Sequence, residues 1–394
     1  MMVGGSALRV GLVGAGWMGL THGQAWVENA PRAELVAVAD ASDARARALS
    51  DRATGGRART YPDIEAMLSD AKLDAVDICL PHHLHKDAIV AAACAGKHVL
   101  CEKPLCLTLE EAKTIREAID RGGIVFMGAH NKLFTPAMIE ARRLLADGAI
   151  GQVFVVRTVE VGYNEDLKSG TPPADLAPGE SSWSWRIDPA KNGGGEVLDY
   201  GWHGAYSLLA LAGSRPIQVS AMLADYYINR PGVEDTGALL VRFENGATGI
   251  ILTSWAFSDP PPSYEFQVSG ERGSLAGSAT RLVVGRHGHP PLDHTFHRVS
   301  RVAQSRTLLQ SVARRVGVAG APPTQKHPLA YSFAGEISHF LDVVQNGVPN
   351  VASWSEAART LQLIRGAYQA AAEGCTVSLP DDPTELVTRE VMAA

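Results

Sequence analysis

The chain has 394 residues, of which 46% are apolar and 20% charged, proportions typical of a globular protein. This length exceeds that of one ordinary domain and predicts two. The formal net charge of −6, with no basic cluster, argues against nucleic acid as a partner. No apolar run reaches the roughly 18 to 20 residues that span a membrane. The amino terminus leads almost at once into a short apolar run, so we expect no signal peptide.

The five cysteines show no metal-ligand spacing, and we expect no metal site. Three of them, Cys79, Cys94 and Cys101, lie in apolar runs and are predicted to pack as small hydrophobic residues. Free cysteines are usual in a reducing compartment, so the expected location is the cytoplasm.

An early stretch reads LRVGLVGAGWMG. Its apolar run Leu8 to Val13 predicts a buried parallel strand, and the segment Trp17 to Glu28 predicts a helix. Gly14 allows a tight turn, Gly16 lets the backbone approach a pyrophosphate, and Gly19 permits close packing of helix on strand. The stretch therefore predicts a dinucleotide-binding loop. The alternative is a tight strand-to-helix turn that binds nothing.

Asp40 ends the next apolar run, about 20 residues after the last glycine, where a carboxylate would hydrogen-bond a ribose 2′-hydroxyl. A 2′-phosphate would be repelled there, so Asp40 favours NAD over NADP. Arg45, one helical turn further on, would offset part of that repulsion.

Strand-like and helix-like segments alternate from Leu8 to about His130, which predicts a doubly wound parallel sheet with right-handed crossovers. Ligands of such sheets bind beyond the carboxyl ends of the strands. Three stretches should therefore share one rim: the glycine loop, Pro81-His82-His83 and Glu102-Lys103-Pro104.

Lys103 follows a buried strand directly and lies where a nicotinamide would reach. Its amino group would hydrogen-bond a substrate hydroxyl or polarise the carbonyl formed from it. The alternative is a loop lysine paired with Glu102. The nearby His82, His83 and His85 are interpreted as loop or cofactor-contacting residues, since no cysteine or aspartate completes a metal-ligand set.

Beyond His130 the alternation stops. The patterns predict a helix from Thr135 to Asp147, a strand from Val153 to Val161 and a loop from Gly162 to Asn192. A loop of this length in a compact domain is usually functional. Arg186 in this loop either reaches the substrate or anchors the loop, and anchoring is the favoured interpretation.

The stretch GGGEVLDYGWHGAY follows, in which three glycines precede a predicted helix. Asp199 and His203 are four positions apart and so share one helical face. A carboxylate beside an imidazole orients the ring and favours its protonated form, an arrangement typical of a general base that takes a hydroxyl proton. The alternative is an Asp–His hydrogen bond that only fixes the helix.

From Ile217 to Val284 the chain predicts successive strands, with a tight turn at Asn245-Gly246. They indicate an open, largely antiparallel sheet, with helices such as Thr135 to Asp147 and Tyr331 to Gln345 on one face. The uncovered face predicts a homodimer or homotetramer.

The remaining segments are less regular. Residues His287 to Pro328 are interpreted as an inserted loop with one helix near Val302 to Val316. The chain closes with a long helix from Ser353 to Ala372, where Ser353 and Glu356 have the spacing of a capping box. Thr108 and Glu111 have the same spacing at the start of the helix predicted from Thr108 to about Arg121.

Several of these stretches together resemble the glucose–fructose oxidoreductase, inositol dehydrogenase and rhizopine-catabolism (Gfo/Idh/MocA) family. GLVGAGWMG resembles its cofactor loop, GKHVLCEKPL its Glu-Lys-Pro motif, and GGGEVLDYGWH its glycine-led Asp-x-x-x-His motif. NKLFTP and SWSEAARTLQLIRGAY add supporting matches, and the motifs occur in family order along nearly the whole chain.

The resemblance implies an α/β fold with an N-terminal Rossmann domain, residues 1–130, and a C-terminal α/β domain, residues 131–394. The open sheet of the second domain would serve oligomerisation, and the last helix is expected to pack back on the first. A cis peptide is implied before Pro104. Where the family has Thr-Pro-Asn after its fourth strand, this chain has Leu80-Pro81-His82.

The implied catalytic residues are Lys103, Asp199 and His203. The expected substrate contacts are these three and Arg186. The expected cofactor contacts are Gly14, Gly16, Trp17, Met18, Gly19, Asp40, Pro81, His82, His85, Glu102 and Lys103.

These observations predict an oxidoreductase that transfers a hydride between NAD and a secondary alcohol or ketone of a sugar, inositol or related polyol. In this hypothesis His203, oriented by Asp199, takes the hydroxyl proton, and Lys103 hydrogen-bonds the same oxygen. One alternative is a glycosidase that uses transient oxidation by tightly held NAD. The other is a cofactor-binding sensor without chemistry, which would have no need of all three residues.

Overall fold

The computed structural model describes residues 7–164, 167–168, 181–257, 264–296 and 330–386. Within these ranges no helix is both long enough and apolar enough to cross a membrane. The predicted helix near Val302 to Val316 and residues 165–166 and 169–180 of the predicted loop lie outside them.

The first half folds into a six-stranded parallel sheet with the order β3-β2-β1-β4-β5-β6. Short apolar runs form these strands because helices cover both faces. The strand order reverses between β1 and β4, and ligands of doubly wound sheets bind at this switch point. The predicted doubly wound sheet is confirmed. Its strands are β1 (Leu8–Val13), β2 (Ala33–Ala39), β3 (Arg59–Tyr61), β4 (Ala75–Ile78), β5 (His98–Glu102) and β6 (Phe126–Ala129).

Five helices connect these strands: α1 (Trp17–Glu28), α2 (Asp43–Thr54), α3 (Ile64–Asp70), α4 (His85–Cys94) and α5 (Leu109–Gly122). Cys79 and Cys101 are buried beside the sheet as predicted. The prediction for Cys94 is wrong, because this residue ends α4 on its solvent side and is exposed.

The second half contains a nine-stranded sheet with the order β14-β13-β12-β11-β7-β10-β9-β8-β15. Only the β7–β10 pair is parallel among the described strands of this sheet, so the largely antiparallel prediction is confirmed. Its strands are β7 (Val153–Val161), β8 (Pro216–Ala224), β9 (Thr236–Phe243), β10 (Thr248–Ser254), β11 (Phe266–Gly270), β12 (Gly273–Gly277), β13 (Arg281–Arg286), β14 (His289–Thr295) and β15 (Val377–Ser378).

Three strands of this sheet, β12, β14 and β15, were not predicted from the sequence. β12 pairs with β11 and β13, and β14 forms the edge beside β13. The interpretation of residues 289–295 as part of an inserted loop is therefore wrong. Every residue of β14 is exposed, so it lacks the alternation of burial that marks a half-buried strand.

Helices cover one face of the second sheet and leave the other open. α6 (Pro136–Ala146) packs on β12 and β13, and α9 (Gly201–Ala212) packs on β7 and β10. Along β9, Leu239 is buried against the helices, whereas Leu240 is exposed on the opposite face. Two short helices, α7 (Pro189–Asn192) and α8 (Glu196–Asp199), precede α9.

The last two helices, α10 (Ala330–Asn346) and α11 (Trp354–Glu373), return to the first sheet. α10 packs against α1, and α11 packs against α5 and β6. The Trp354 indole donates a hydrogen bond to the carbonyl oxygen of Ala112 in α5, at 3.2 Å. The carboxyl-terminal helices thus hold the two sheets together.

The two predicted capping boxes have different outcomes. At the start of α5, Thr108 and Glu111 form a complete box, as predicted. At the start of α11, the Ser353 hydroxyl donates to the Glu356 carboxylate and makes no cap to a backbone N–H, so the second box is wrong.

Candidate active site

The glycine loop joins β1 to α1 at the switch point of the first sheet. Gly14 has a φ of +94°, and a Cβ there would lie 2.3 Å from the Cys79 carbonyl oxygen. A Cβ at Gly19 would lie 1.9 Å from the Gly14 carbonyl oxygen. Both positions therefore require glycine. The first turn of α1 has no acidic residue and no side-chain cap, so its free N–H groups suit a pyrophosphate.

The other predicted residues around this loop lie on accessible parts of the rim. Gly16 is the residue before the first turn of α1. Trp17 is exposed, and Met18 is half-buried beside it. Pro81 precedes a 3-10 turn, His82–Leu84, that follows β4 at the same end of the sheet. These positions fit the backbone path of a dinucleotide site.

Asp40 joins the end of β2 to the glycine loop. One carboxylate oxygen accepts the Ala15 backbone N–H at 2.8 Å. The other accepts the Ser42 N–H at 2.7 Å and the Arg45 guanidinium at 2.8 Å. Asp40 thus holds the loop in shape and is already paired with Arg45, the residue that was expected to offset its charge.

Lys103 lies just past β5 and reaches across to the second half of the chain. Its Nζ donates to the Asp199 Oδ1 at 2.5 Å and to the Asp199 carbonyl oxygen at 2.8 Å. Glu102 binds the backbone N–H of Lys103, at 3.0 Å, rather than its amino group. The alternative of a Lys103 side chain paired with Glu102 is therefore wrong. The Lys103–Pro104 peptide is cis, as the resemblance implied.

Asp199, at the end of α8, is the centre of the charged groups. Besides Lys103, it lies 3.3 Å from the Arg186 Nε and 3.7 Å from the His82 Nε2. Burial alone would raise the pKa of Asp199, but Lys103 and Arg186 outweigh it and hold that pKa well below its usual value. Asp199 is therefore a permanent carboxylate that gathers three cationic or imidazole side chains.

His203 differs from its prediction in two respects. Its Nδ1 is hydrogen-bonded to the Tyr206 hydroxyl at 2.9 Å, and the hydrogen bonds of Asp199 among the described residues go elsewhere. Lys103 and Arg186 bind the Asp199 carboxylate and His203 bonds to Tyr206, so the four-residue spacing does not produce an Asp199–His203 hydrogen bond.

The protonation of His203 is also the reverse of the expectation. Burial lowers its pKa, and Lys103 and Lys132 lower it further, so that it lies well below the usual value although Asp199 opposes the shift. The imidazole is therefore neutral at pH 7, the form in which a ring nitrogen can accept a proton.

The other two predicted histidines support the rim. The His82 Nδ1 donates to the Asn192 carbonyl oxygen at 3.2 Å, and the ring meets the edge of Trp185 at 4.5 Å between centroids. His85 is wholly buried, with its ring nitrogens 2.7 and 2.8 Å from the carbonyl oxygens of Pro104 and Leu80. It joins the two rim loops from beneath and does not face the site surface.

Glu102 belongs to a buried network that the sequence did not reveal. Its Oε1 lies 3.1 Å from the His22 Nε2, and the Asp77 Oδ2 lies 2.9 Å from the His22 Nδ1. Trp26 also donates to Asp77, at 2.7 Å. Cys79 lies close enough to His22 and Asp77 for the three to form a metal-sized group, but both ring nitrogens of His22 already face carboxylates.

Three residues of the site were not singled out from the sequence. Tyr206 follows His203 by three positions on one helical face, a spacing that would have paired them. Asn131 lies two residues past the end of β6, at the carboxyl-end rim, where the sheet rule would have placed it. Lys132 is buried, with its Nζ 2.5 Å from the Glu160 Oε2, and no local signal connects that pair.

A six-stranded parallel sheet of this order, a glycine loop open to a pyrophosphate, and titratable groups gathered at its rim define a dinucleotide-dependent oxidoreductase. Residues 8–130 match the model of an oxidoreductase family with an NAD-binding Rossmann fold. Residues 138–276 match the Gfo/Idh/MocA C-terminal domain. The chain belongs to the Gfo/Idh/MocA family of oxidoreductases.

Individual relatives share most of their length with this chain. It is 31% identical to the 1,5-anhydro-D-fructose reductase of Ensifer adhaerens over 272 residues, which are 68% of this chain and 75% of the relative. It is 28% identical to the inositol 2-dehydrogenase of Rhizobium meliloti (strain 1021) over 381 residues, 94% of this chain and 99% of the relative.

Solved structures show the same fold. A levoglucosan dehydrogenase in complex with NADH and levoglucosan superposes with a TM-score of 0.79 at 24% identity, covering 95% of this chain and 100% of the other.

Proposed function

We propose that this enzyme is an NAD-dependent dehydrogenase or reductase of a sugar, inositol or related polyol, acting at a secondary alcohol or the corresponding ketone. When bound, the nicotinamide cofactor supplies the hydride acceptor or donor. The observation that carries the proposal is the Lys103–Asp199 ion pair at the rim that also holds the glycine loop, with His203 near enough for both charges to shift its pKa. The names of the curated relatives support a sugar or inositol substrate.

In this proposal His203 is the general base. Its pKa is lowered by burial and by two lysines, so the ring is neutral at pH 7 and can take the hydroxyl proton during oxidation. In the reverse direction the same ring returns the proton to the carbonyl oxygen.

Lys103 hydrogen-bonds the reacting oxygen and stabilises negative charge that develops on it. Asp199 holds the Lys103 amino group through a side-chain oxygen and a backbone oxygen, at 2.5 and 2.8 Å. The carboxylate therefore orients Lys103 rather than His203. This pairing keeps the ammonium group pointed at one place and lessens the entropy lost when substrate binds.

Arg186 and Trp185 form the proposed outer wall of the substrate pocket. The Arg186 guanidinium lies 4.3 Å from the Trp185 ring centroid, and its Nε is 3.3 Å from Asp199. The favoured anchoring role is supported by this ion pair. Since the same group lies beside the reacting residues, it also serves as a hydrogen-bond donor to substrate oxygens.

For the cofactor, we propose NAD rather than NADP, because the Asp40 carboxylate would face a 2′-phosphate. The expected result is a higher kcat/KM with NAD. Asp40→Ala should lower the NAD:NADP ratio of kcat/KM by roughly 10- to 100-fold, the equivalent of a hydrogen bond to a charged group. Arg45→Ala is the matched control and should raise the ratio. A wild-type preference for NADP would contradict the assignment.

The domain limits 1–130 and 131–394 remain our proposal, as does assembly into a homodimer or homotetramer through the open sheet face. The exposed apolar side chains Met222 and Leu240 lie on the neighbouring strands β8 and β9 of that sheet and support burial against a second copy. Light scattering should give a mass of two or four chains, and a monomer at working concentration would refute the assembly. Five free cysteines support a cytoplasmic location.

The function is tested with a panel of inositols, free sugars and sugar derivatives, each mixed with NAD and followed by the absorbance of reduced cofactor. A polyol that is oxidised, with Lys103→Ala and His203→Ala inactive, supports the proposal. Release of a free sugar from a glycoside without net cofactor reduction would identify the glycosidase instead. Cofactor binding without turnover across the panel in both directions would favour the sensor.

A further inference from the structure

The Tyr206 hydroxyl is a junction between His203 and two residues that follow β6. Its oxygen lies 2.9 Å from the His203 Nδ1, 3.1 Å from the Lys132 backbone nitrogen and 3.3 Å from the Asn131 Oδ1. The Tyr206 ring is buried and stacks on His130 at 4.3 Å between centroids, with the planes 6° apart. Stacking fixes the ring, so the hydroxyl cannot move to other partners.

The protons at this junction can be counted. A tyrosine hydroxyl has one proton to donate and lone pairs with which to accept. The Lys132 backbone N–H is always a donor, and the Asn131 oxygen that faces the hydroxyl is always an acceptor. The hydroxyl proton therefore goes to Asn131, and the hydroxyl oxygen accepts from Lys132.

With its proton directed at Asn131, the hydroxyl can only accept from His203. The ring proton must then lie on Nδ1. The opposite arrangement, in which Tyr206 donates to Nδ1, would leave the Asn131 and Tyr206 oxygens facing each other with no proton between them. A buried acceptor without a donor costs about 1–3 kcal/mol.

We propose that Asn131, acting through the Tyr206 hydroxyl, sets the tautomer of His203 to Nδ1–H and so leaves Nε2 as the free acceptor for the substrate proton. The inference rests on the proposed function of His203 as general base. Tyr206 and Asn131 are positioning residues, because they act on the ring and not on the substrate. None of the described residues hydrogen-bonds the His203 Nε2, which leaves this atom available.

The proposal predicts an order of effects that a purely structural role would not produce. In Asn131→Leu, the hydroxyl proton loses its acceptor and turns to the His203 Nδ1, which holds the ring in the wrong tautomer. In Tyr206→Phe, the ring loses its partner and samples both tautomers. Asn131→Leu should therefore lower kcat more than Tyr206→Phe, by roughly 100-fold against roughly 10-fold, with KM little changed.

Asn131→Asp is the conservative control, because a carboxylate accepts the hydroxyl proton as the amide oxygen does. It should retain the Nδ1–H tautomer and restore most of the kcat lost in Asn131→Leu. Equal losses in Asn131→Leu and Asn131→Asp would count against the tautomer and point to lost packing.

The direct readout is ¹⁵N NMR of histidine-labelled protein without substrate or cofactor, at a pH where His203 is neutral. The His203 signals are assigned by their loss in His203→Gln. We expect the proton on Nδ1 in the wild type and in Asn131→Asp, on Nε2 in Asn131→Leu, and distributed between both in Tyr206→Phe.

A proton on Nε2 in the wild type, or an unchanged tautomer in Asn131→Leu, would overturn the inference. If Asn131→Leu does not fold, the position of the ring proton in the wild-type spectrum is enough to support or overturn the inference. Failure of the proposed function is distinguishable, since an enzyme that oxidises no polyol would still show Nδ1–H in the spectrum.

Discussion

Two histidines in buried clusters of this enzyme differ in charge, because their surroundings shift their pKa values in opposite directions. His22 lies between the carboxylates of Asp77 and Glu102, at 2.9 and 3.1 Å. Burial disfavours a charged ring there, but Asp77 outweighs burial and raises the pKa of His22 well above its usual value. At the candidate site, burial and two nearby lysines lower the pKa of His203 well below it.

The difference shows that the sign of the surrounding charge, and not burial as such, decides the role of each ring. His22 is an imidazolium that compensates two carboxylates in the core between α1, β4 and β5. His203 is a neutral ring at the rim, ready to accept a proton. A histidine that is permanently charged is unsuitable as a base, and a neutral one would leave the core carboxylates without compensation.

The largest effect is expected on turnover, when the imidazole at the rim is removed. His203→Ala should lower kcat by about 10²- to 10⁴-fold, because the proton acceptor is lost. Cofactor affinity, measured by fluorescence titration with NADH, should stay close to that of the wild type. His289→Ala, on the exposed edge strand β14, is the control. Near-wild-type turnover in His203→Ala would remove His203 from the mechanism.

The next effect is on stability, when the imidazolium in the core is removed. His22→Leu leaves Asp77 and Glu102 buried without a cation, and the free energy of unfolding in urea should fall by about 3–5 kcal/mol. His289→Leu makes the same chemical change at an exposed site and should alter it by no more than about 0.5 kcal/mol. A loss below about 1 kcal/mol in His22→Leu would mean that the network is not an ion pair.

The next effect is the difference in protonation between the two rings, which NMR titration measures directly. At about pH 7 His22 should be protonated and His203 neutral, with signals assigned from His22→Leu and His203→Gln. Of the other groups facing His22, burial raises the pKa of both Glu336 and Cys79 and so favours their neutral forms. If both rings titrate near the ordinary histidine pKa of about 6.5, the expected difference between them is wrong.

The pKa shift of His22 also determines how its contribution to stability changes with pH. The pKa of His22 is raised in the folded chain. Its contribution to the free energy of unfolding is therefore complete below the unfolded value of about 6.5 and is lost as the pH rises through the folded value.

The smallest effect concerns a charge that acts on His203 from a distance. Lys132 lowers the pKa of His203, so Lys132→Met should raise it and move the acid limb of kcat/KM to higher pH by about half a unit to one unit. Burial raises the pKa of Glu160 to about 7, so the carboxyl left behind can take up a proton. Lys72→Met, at an exposed position, should leave the profile in place, and an unmoved limb in Lys132→Met would exclude this electrostatic role.

Local signals predicted most of the fold. The strand, glycine loop and helix from Leu8 to Glu28 form as expected, because each depends on neighbouring residues alone. The Asn245-Gly246 turn and the Thr108 capping box are local for the same reason. The edge strand β14 was missed, because its pairing with β13 comes from the partner strand and not from any alternation of its own.

The sequence predicted which residues form the site, but it did not predict which of them pair with each other. Lys103, Asp199 and His203 were each marked by a motif, and the structure brings Lys103 and Asp199 into contact. The expected Asp199–His203 hydrogen bond does not form, because Lys103 and Arg186 bind the Asp199 carboxylate and His203 bonds to Tyr206. The catalytic assignment itself remains a prediction until the variants are measured.

By itself the sequence determined the parallel sheet and the place of the dinucleotide loop, and it marked the residues that we propose carry the chemistry, since periodicity and glycine spacing are properties of short segments. Only the tertiary structure decided which partner each of these residues takes. Lys103 contacts Asp199, which lies 96 positions away in the sequence, and His22 contacts Glu102, which lies 80 positions away. The charge of each histidine follows from such contacts, because a pKa reflects every charge nearby, whichever part of the chain supplies it.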